Sequence, residues 1–266
     1  MKYDINAPVE YADPTLADAN PDEARAVIVG RVEHWEAGER PAHHHQRHQL
    51  MAVSSGVMHI STSAGRWILP ATRAIWIGAG TEHTTLLRRP ATLRVLYIDP
   101  HAYALPKRPS CRVIQVSPLV RELINACTQF SWNYPDNGPE ARLAQVLIDQ
   151  ITTHHHAPVD LPMPLDARAR KVVKALQTDP SNREPLTALA ARAGASARTI
   201  ERLFSQEAGI SFGNWRQRHR LLTALEQLAY GESVRNVAHN IGYDSPSSFI
   251  SAFKQLFGTT PARYFK

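Results

Sequence analysis

At 266 residues and 43% hydrophobic content, the chain is long enough for two cored domains and too apolar for a disordered protein. No stretch reaches the roughly twenty apolar residues of a membrane span, and the acidic, proline-bearing start has no apolar core of the kind a secretion signal needs. Two cysteines, Cys111 and Cys127, exclude a disulfide framework, so reduced thiols and a cytoplasmic setting without membrane partners are expected. The charge is uneven. Residues 1–166 hold 15 Lys+Arg against 17 Asp+Glu, a net −2, while residues 167–266 hold 15 against 7, a net +8. A concentrated basic excess is the footprint of a part that meets phosphates, although a solvated basic face gives the same count. Histidine is skewed the other way, with eleven of thirteen before residue 167.

Residues 1–25 show no periodicity and read as a flexible arm. From Ala26, short runs rich in β-branched and aromatic residues recur between turn signals: 26–32, 50–54, 57–61, 67–69, 74–77, 84–87 and 93–98. Many short strands so punctuated predict a β-sandwich or barrel over residues 26–112, closing with a loop over 99–112. Residues 113–153 then carry two helical patterns. One has Leu119, Val120, Leu123, Ile124 and Cys127 on one face, and the other has Leu143, Val146, Leu147, Gln150 and Ile151. Such a hairpin either pairs two protomers into a homodimer or covers the barrel. Residues 154–166, with three prolines and His154, His155 and His156, read as a linker.

Residues 167–266 read as helices throughout, and one pattern is written twice, from Leu186 to Gly209 and from Val234 to Gly258. In each copy a short amphipathic helix ends in a glycine, a capping residue follows, and a second helix closes on another glycine. That is the layout of a helix-turn-helix. Ser196 is placed to cap the second helix of the first copy. Arg198, Thr199, Glu201 and Arg202 are on its exposed face, where Arg can read guanine and Glu cytosine. In the second copy the exposed positions are Pro246, Ser247, Ser248, Ile250 and Ser251, a small surface suited to shape fit, with Lys254 as a phosphate contact.

The stretch GYDSPSSFISAFKQLFGTTPARY, Gly242 to Tyr264, resembles the C-terminal signature of the AraC/XylS transcription regulators. ARTIERLFSQEAGISFGNWRQRHRL, Ala197 to Leu221, is similar to that family's first recognition helix and the entry to its connecting helix. The resemblance covers roughly residues 167–266. It implies a seven-helix domain whose two recognition helices enter successive major-groove segments of double-stranded DNA, with RNA polymerase a candidate further partner. It places Arg198, Glu201 and Arg202 on base-facing positions of the first helix, and Ser247, Ser248 and Ser251 on those of the second. The serines are shorter than the side chains often found there, so the two helices are expected to be unequal readers.

GERPAHHHQRH, Gly38 to His48, and IGAGTEH, Ile77 to His83, resemble the two cupin motifs. The resemblance puts His43, His45 and His83 on metal-ligand positions. Gln49 stands where an acidic ligand is usual and Gly78 where proline is. Three readings stay open. One is a sensor holding a divalent transition metal, since imidazoles suit Zn, Ni, Fe, Mn and Cu. Another is a metal-free organic-ligand pocket formed by Trp35, His43, His45, Gln49, Trp76 and His83. The plainest is a set of satisfied polar groups at a barrel mouth, with Trp67 and Trp76 as core. The expected fold class is therefore α+β multidomain: a cupin-like barrel with a helical hairpin, then an all-α domain with two helix-turn-helix motifs. The expected function is a sequence-specific DNA-binding transcription regulator, not an enzyme, controlled by a small-molecule or metal effector. A cupin-type metalloenzyme and an architectural DNA binder without a ligand are the alternatives.

Overall fold

Apolar and polar residues alternate along the first half of the chain, and alternation makes strands with two unlike faces. The computed structural model describes residues 9–16, 19–63, 65–71, 73–103, 111–153 and 160–265. The chain divides into two units, Met1–Ser63 with Leu69–Ala157, and Ala64–Ile68 with Pro158–Lys266.

The first unit is built from β1 (Val9–Tyr11), β2 (Ile28–Trp35), β3 (Gly38–His43), β4 (His48–Ser55) and β5 (Val57–Ser61). β6 (Gly65–Pro70) starts within the second unit and ends in the first. β7 (Arg73–Ile77), β8 (His83–Leu87), β9 (Ala91–Ile98) and β10 (Cys111–Gln115) follow, then α1 (Pro118–Cys127) and α2 (Pro139–Thr153). Six strands form an antiparallel sheet in the order β1-β2-β9-β4-β7-β10. In the other sheet, β3 and β5 flank β8, again antiparallel.

Register decides what each face of the six-stranded sheet carries. Leu50 sits opposite both Leu96 and Trp76, and Ile28 opposite Ile98. These even-numbered residues, with Ala74 and Ile114, form one dry core with Val120, Leu123 and Ile124 of α1 and Ala144, Leu147 and Ile148 of α2. Burial of such side chains stabilises by about 1.5–3 kcal/mol each. The buried face of α2 differs from the expected one: Ala144, Leu147, Ile148 and Ile151 are inside, while Leu143 and Val146 are 40% and 41% exposed. Leu119 of α1 is exposed as well. The sequence holds two overlapping apolar stripes at helical spacing, and the sheet takes only one of them.

Residues 9–16 and 19–25, expected in a flexible arm, are ordered by polar contacts that hydropathy does not register. β1 pairs with β2, Val9 opposite Trp35. Both carboxylate oxygens of Asp22 accept from the backbone N–H of Gln46, and one also accepts from that of Arg47. The buried Arg47 guanidinium donates back to Ala26 O at 2.9 Å. The arm's residues 1–8, 17 and 18 lie outside the described residues. The expected loop over 99–112 ends sooner than read, because Cys111 and Arg112 already pair with β7.

In the second unit β6 pairs with β11 (Asp160–Pro162), so part of the expected linker is a strand. Its anchor is the Trp215 indole, which donates to Pro162 O at 2.8 Å. His154, His155 and His156 lie outside the described residues. The helices are α3 (Ala167–Thr178), α4 (Leu186–Arg192), α5 (Ala197–Glu207), α6 (Phe212–Ala229), α7 (Val234–Asn240), α8 (Pro246–Phe257) and α9 (Pro261–Tyr264). Ser196, Ser211, Ser233 and Ser245 cap α5, α6, α7 and α8 in turn, each hydroxyl accepting from the amide three residues on. Phe204, Phe212 and Trp215 make an edge-to-face cluster beneath α5, and Phe249, Phe253 and Tyr264 make another beneath α8. No described helix is long and apolar enough to cross a membrane.

The α4–α5 and α7–α8 turns repeat the same bonds. Gly194 N donates to Ala191 O and Ala195 N to Ala190 O; Gly242 N donates to His239 O and Tyr243 N to Ala238 O. Both glycines have positive φ, +75 and +82. They differ in surroundings, since a Cβ at Gly194 meets nothing while one at Gly242 would lie 2.8 Å from Ser181 O. Gly194→Ala should therefore cost about 1 kcal/mol and Gly242→Ala about 2–3 kcal/mol. Urea unfolding followed by far-ultraviolet circular dichroism checks this, and equal costs would contradict it.

Candidate nucleic-acid interface and histidine pocket

The serine caps leave the outward faces of α5 and α8 to other side chains. On α5, Arg198, Glu201 and Arg202 are exposed and Thr199 is half-buried. Ser196 is spent on the cap, its hydroxyl bonded to Thr199 N at 3.1 Å and facing Thr199 Oγ1 at 2.9 Å. Glu201 is already engaged, its Oε2 accepting from Phe212 N at 3.2 Å at the start of α6. Arg202 reaches Gln206 at 3.2 Å, a surface bond that a base edge can replace. On α8, Ser247, Ser251 and Lys254 are exposed. The Ser248 hydroxyl donates to Ser245 O at 2.8 Å, so it belongs to the cap.

The basic excess of this unit is divided between surface and scaffold. Arg216 donates to Glu184 O at 2.8 Å, and Arg220 donates to Pro180 O at 3.1 Å and Asn182 O at 2.7 Å. These two arginines of α6 tie down the α3–α4 connection. Arg192 pairs with Glu184 and Arg183 with Asp244. Behind them His219 stacks on Trp215 and bonds Leu176 O at 3.0 Å, and burial pushes its pKa down to about 4.

In the first unit, the odd-numbered face of the six-stranded sheet borders a cavity of about 280 Å³. Arg31, Glu33 and Trp35 of β2, Gln49 and Met51 of β4, and Tyr97 of β9 form that wall. Arg40, Pro41 and His43 of β3, with Thr85 of β8, Tyr11 of β1 and His45, complete it. The β3–β8 register shifts between Arg40 and His43, which gives β3 one extra residue there. Proline has no N–H to lose from a ladder, so Pro41 suits that bulge, and the bulge re-aims the histidine that follows.

His43, His45 and His83 converge, each offering a ring nitrogen within 4.8 Å of the others. Their ring centroids are 4.4 Å apart for His43–His83 and 5.2 Å for His43–His45. His43 Nδ1 lies 2.9 Å from Pro41 O and His83 Nδ1 lies 3.0 Å from Thr81 O. A carbonyl only accepts, so each Nδ1 carries a proton, and in the neutral form of either ring the lone pair falls on Nε2. Among the described residues the buried His83 Nε2 has no partner. Burial, and then the neighbouring imidazoles His43 and His83, holds the His45 pKa down to about 4, so that ring is neutral at pH 7. Neutral imidazoles whose other nitrogen is fixed by a carbonyl are the donor set that a transition metal takes.

The structure thus brings together Trp35, His43, His45 and Gln49, with His83 packed against His43, but not Trp76. Trp76 is even-numbered on β7, 5% exposed in the core against α1 and α2, with His48 at 4.9 Å and the Arg112 guanidinium at 5.4 Å. Its expected place as a ligand contact is corrected by parity alone. Sequence reasoning missed Tyr11, Arg31, Glu33, Arg40, Pro41, Met51, Thr85 and Tyr97. Two of them were within reach, since Met51 follows Gln49 by two residues and Thr85 follows His83 by two, and residues two apart on a strand share a face.

Residues 189–266 match the family profile of a helix-turn-helix domain. The transcriptional regulator NimR of Escherichia coli is 34% identical over 224 residues, spanning 84% of this chain and 81% of NimR. The chain belongs to the AraC/XylS family of transcription regulators. RipA of Corynebacterium glutamicum, another transcriptional regulator, is 32% identical over 122 residues, 46% of this chain and 35% of RipA. Among solved structures, unsaturated fatty acid-bound ToxT of Vibrio cholerae aligns over 91% of this chain and 96% of its own, at 10% identity and a TM-score of 0.38. Membership of a regulator family decides against the metalloenzyme alternative, and the protein is a DNA-binding transcription regulator. In such a protein the inward arginines should act on folding and not on phosphate. Arg220→Ala should cost about 1–3 kcal/mol of stability and leave the salt dependence of DNA binding unchanged. Unfolding and binding titrations over a range of salt concentrations measure the two effects separately.

Proposed function

We propose that this regulator reads bases with α5, takes a second foothold with α8, and is controlled by a metal-dependent effector site among His43, His45 and His83. On α5 the base readers are Arg198 and Arg202, with Thr199 and Glu201 beside them. On α8 they are Ser247 and Ser251, with Lys254 on phosphate and Ser196 and Ser248 setting the helix starts. Arg198 and Arg202 carry this assignment, because they are the exposed long donors on α5 able to make paired bonds to guanine. Arg198→Ala should lose about 1–3 kcal/mol at one base pair and relax preference there. Lys254→Ala should weaken all sequences alike and lower the salt slope by about one. Selection from random DNA, with titrations on preferred and scrambled duplexes, reads both. An unchanged preference for Arg198→Ala sinks the assignment.

The effector half rests on one observation: His43, His45 and His83 each offer a ring nitrogen within 4.8 Å of the others, and among the described residues the buried His83 Nε2 has no partner. Two lone pairs cannot satisfy each other, whereas a cation satisfies both. A resident divalent transition metal, held by His43, His45 and His83, would supply a fixed positive centre at the cavity wall. Effector control then requires that ligand bind one arrangement of the DNA-reading helices better than another. The exposed Leu119, Leu143 and Val146 favour a second copy of this chain across α1 and α2, so that a dimer would read a repeated site in cytoplasmic DNA, within reach of RNA polymerase. Protein supplemented with Zn²⁺ should hold close to one ion per chain by elemental analysis, and His43→Ala with His83→Ala together should hold almost none. Zinc-free protein after supplementation overturns the metal site.

A further inference from the structure

The wall beside the three histidines has an unusual polar balance. Its fixed charges are used among themselves: Arg31 Nε lies 2.6 Å from Glu33 Oε1, and the Trp35 indole donates to Glu33 Oε2 at 2.7 Å. The Gln49 side-chain amide is hydrogen-bonded to Tyr97, and among the described residues its Oε1, Thr85 Oγ1 and His83 Nε2 find no partner, on side chains 3%, 1% and 2% exposed. Gln49 can offer its free oxygen only as an acceptor, so it needs a donor from the ligand. Buried polar groups left unmade are costly, and a partner for them is a specificity element.

Charge points the same way. Three neutral imidazoles leave a divalent ion with its full charge, and Gln49, standing where a carboxylate ligand is usual, does not reduce it. The Arg40 guanidinium stacked on Trp35 at 4.8 Å adds another cation at the wall. An anion is therefore favoured, and beyond the polar end Met51, Trp35 and Tyr97 offer an apolar, aromatic lining. At about 280 Å³ the cavity is at the small end of ligand pockets.

Resting on the metal reading above, we propose that the effector is a small 2-hydroxycarboxylate. Its carboxylate and hydroxyl oxygens would bind the metal, the hydroxyl keeping its proton and donating a hydrogen bond to Gln49 Oε1, while the Thr85 hydroxyl donates one to the carboxylate. Gln49 thus selects hydroxy acids over plain acids, and its neutrality leaves the ligand to balance the ion.

The test uses the full chain stripped with chelator and reloaded with Co²⁺, whose visible absorption reports its ligands. Mandelate is the probe and phenylacetate, which differs by the hydroxyl, is the control. Mandelate should shift the Co²⁺ bands and bind about tenfold or more tighter than phenylacetate, the scale of one buried bond left unmade. Gln49→Leu should still hold Co²⁺, weaken mandelate about tenfold and leave phenylacetate unchanged, because only the bond to the hydroxyl is lost. Gln49→Glu, close in volume to the parent, should hold Co²⁺ more tightly and mandelate about tenfold more weakly, which keeps the test decisive if the leucine variant does not fold. Equal binding of the two acids to Co²⁺-loaded protein, or removal of the ion by mandelate, overturns the proposal and leaves the metal site standing. Failure to take up Co²⁺ at all overturns both.

Discussion

A strand can turn only every second side chain to one side, and the first unit is arranged by that constraint. The six-stranded sheet sends the even-numbered Ile28, Leu50, Ala74, Trp76, Leu96 and Ile98 into a dry layer under α1 and α2. Its odd-numbered residues are therefore all committed to the other side, where Arg31, Glu33, Gln49 and Tyr97 meet the histidines of β3 and its following loop. The dry layer supplies the stability that lets the opposite face keep polar atoms without partners. A one-residue slip of β4 against β9 would exchange Gln49 for Leu50 and destroy both faces together.

The helical unit is governed by a different economy, that of donors at the backbone. Serine hydroxyls close the starts of α5, α6, α7 and α8, and Arg216 and Arg220 close carbonyls of the α3–α4 connection. Each such bond removes a polar group from the set that can meet DNA. The net +8 of residues 167–266 thus overstates the charge offered to phosphate. α5 and α8 each give a serine to the cap, so their asymmetry lies in the exposed side chains that remain, Arg198 and Arg202 on one and Ser247 and Ser251 on the other.

Much of this was legible in the residues. Strongly periodic segments, β4, β5, β9 and all the long helices, are readable because burial imposes their spacing. β3 was not, because GERPAH carries a proline and almost no apolar pattern; it is held by pairing with β8 and by its bulge. β1 and the Asp22 contacts were illegible for a related reason, since a carboxylate that accepts amides twenty-four residues away leaves no local signature. The histidine cluster was legible through the resemblance of its two segments to the cupin motifs, whereas Trp76 was misplaced because aromatic character says nothing about which side of a sheet a residue faces. The tautomers of His43 and His83 were beyond reach, as they depend on the carbonyls of Pro41 and Thr81.

The bond from Phe212 N to Glu201 has an evolutionary implication. Under the base-reading assignment proposed above, position 201 answers to two demands at once, the operator on one side and the first turn of α6 on the other. A lineage drifting toward new promoters can vary positions 198 and 202 without disturbing the scaffold, but a change at 201 also loosens the entry to the helix that joins the two motifs. Retargeting in close descendants of this regulator should therefore proceed mainly through its arginines, with the glutamate changing late or together with the residues that begin α6.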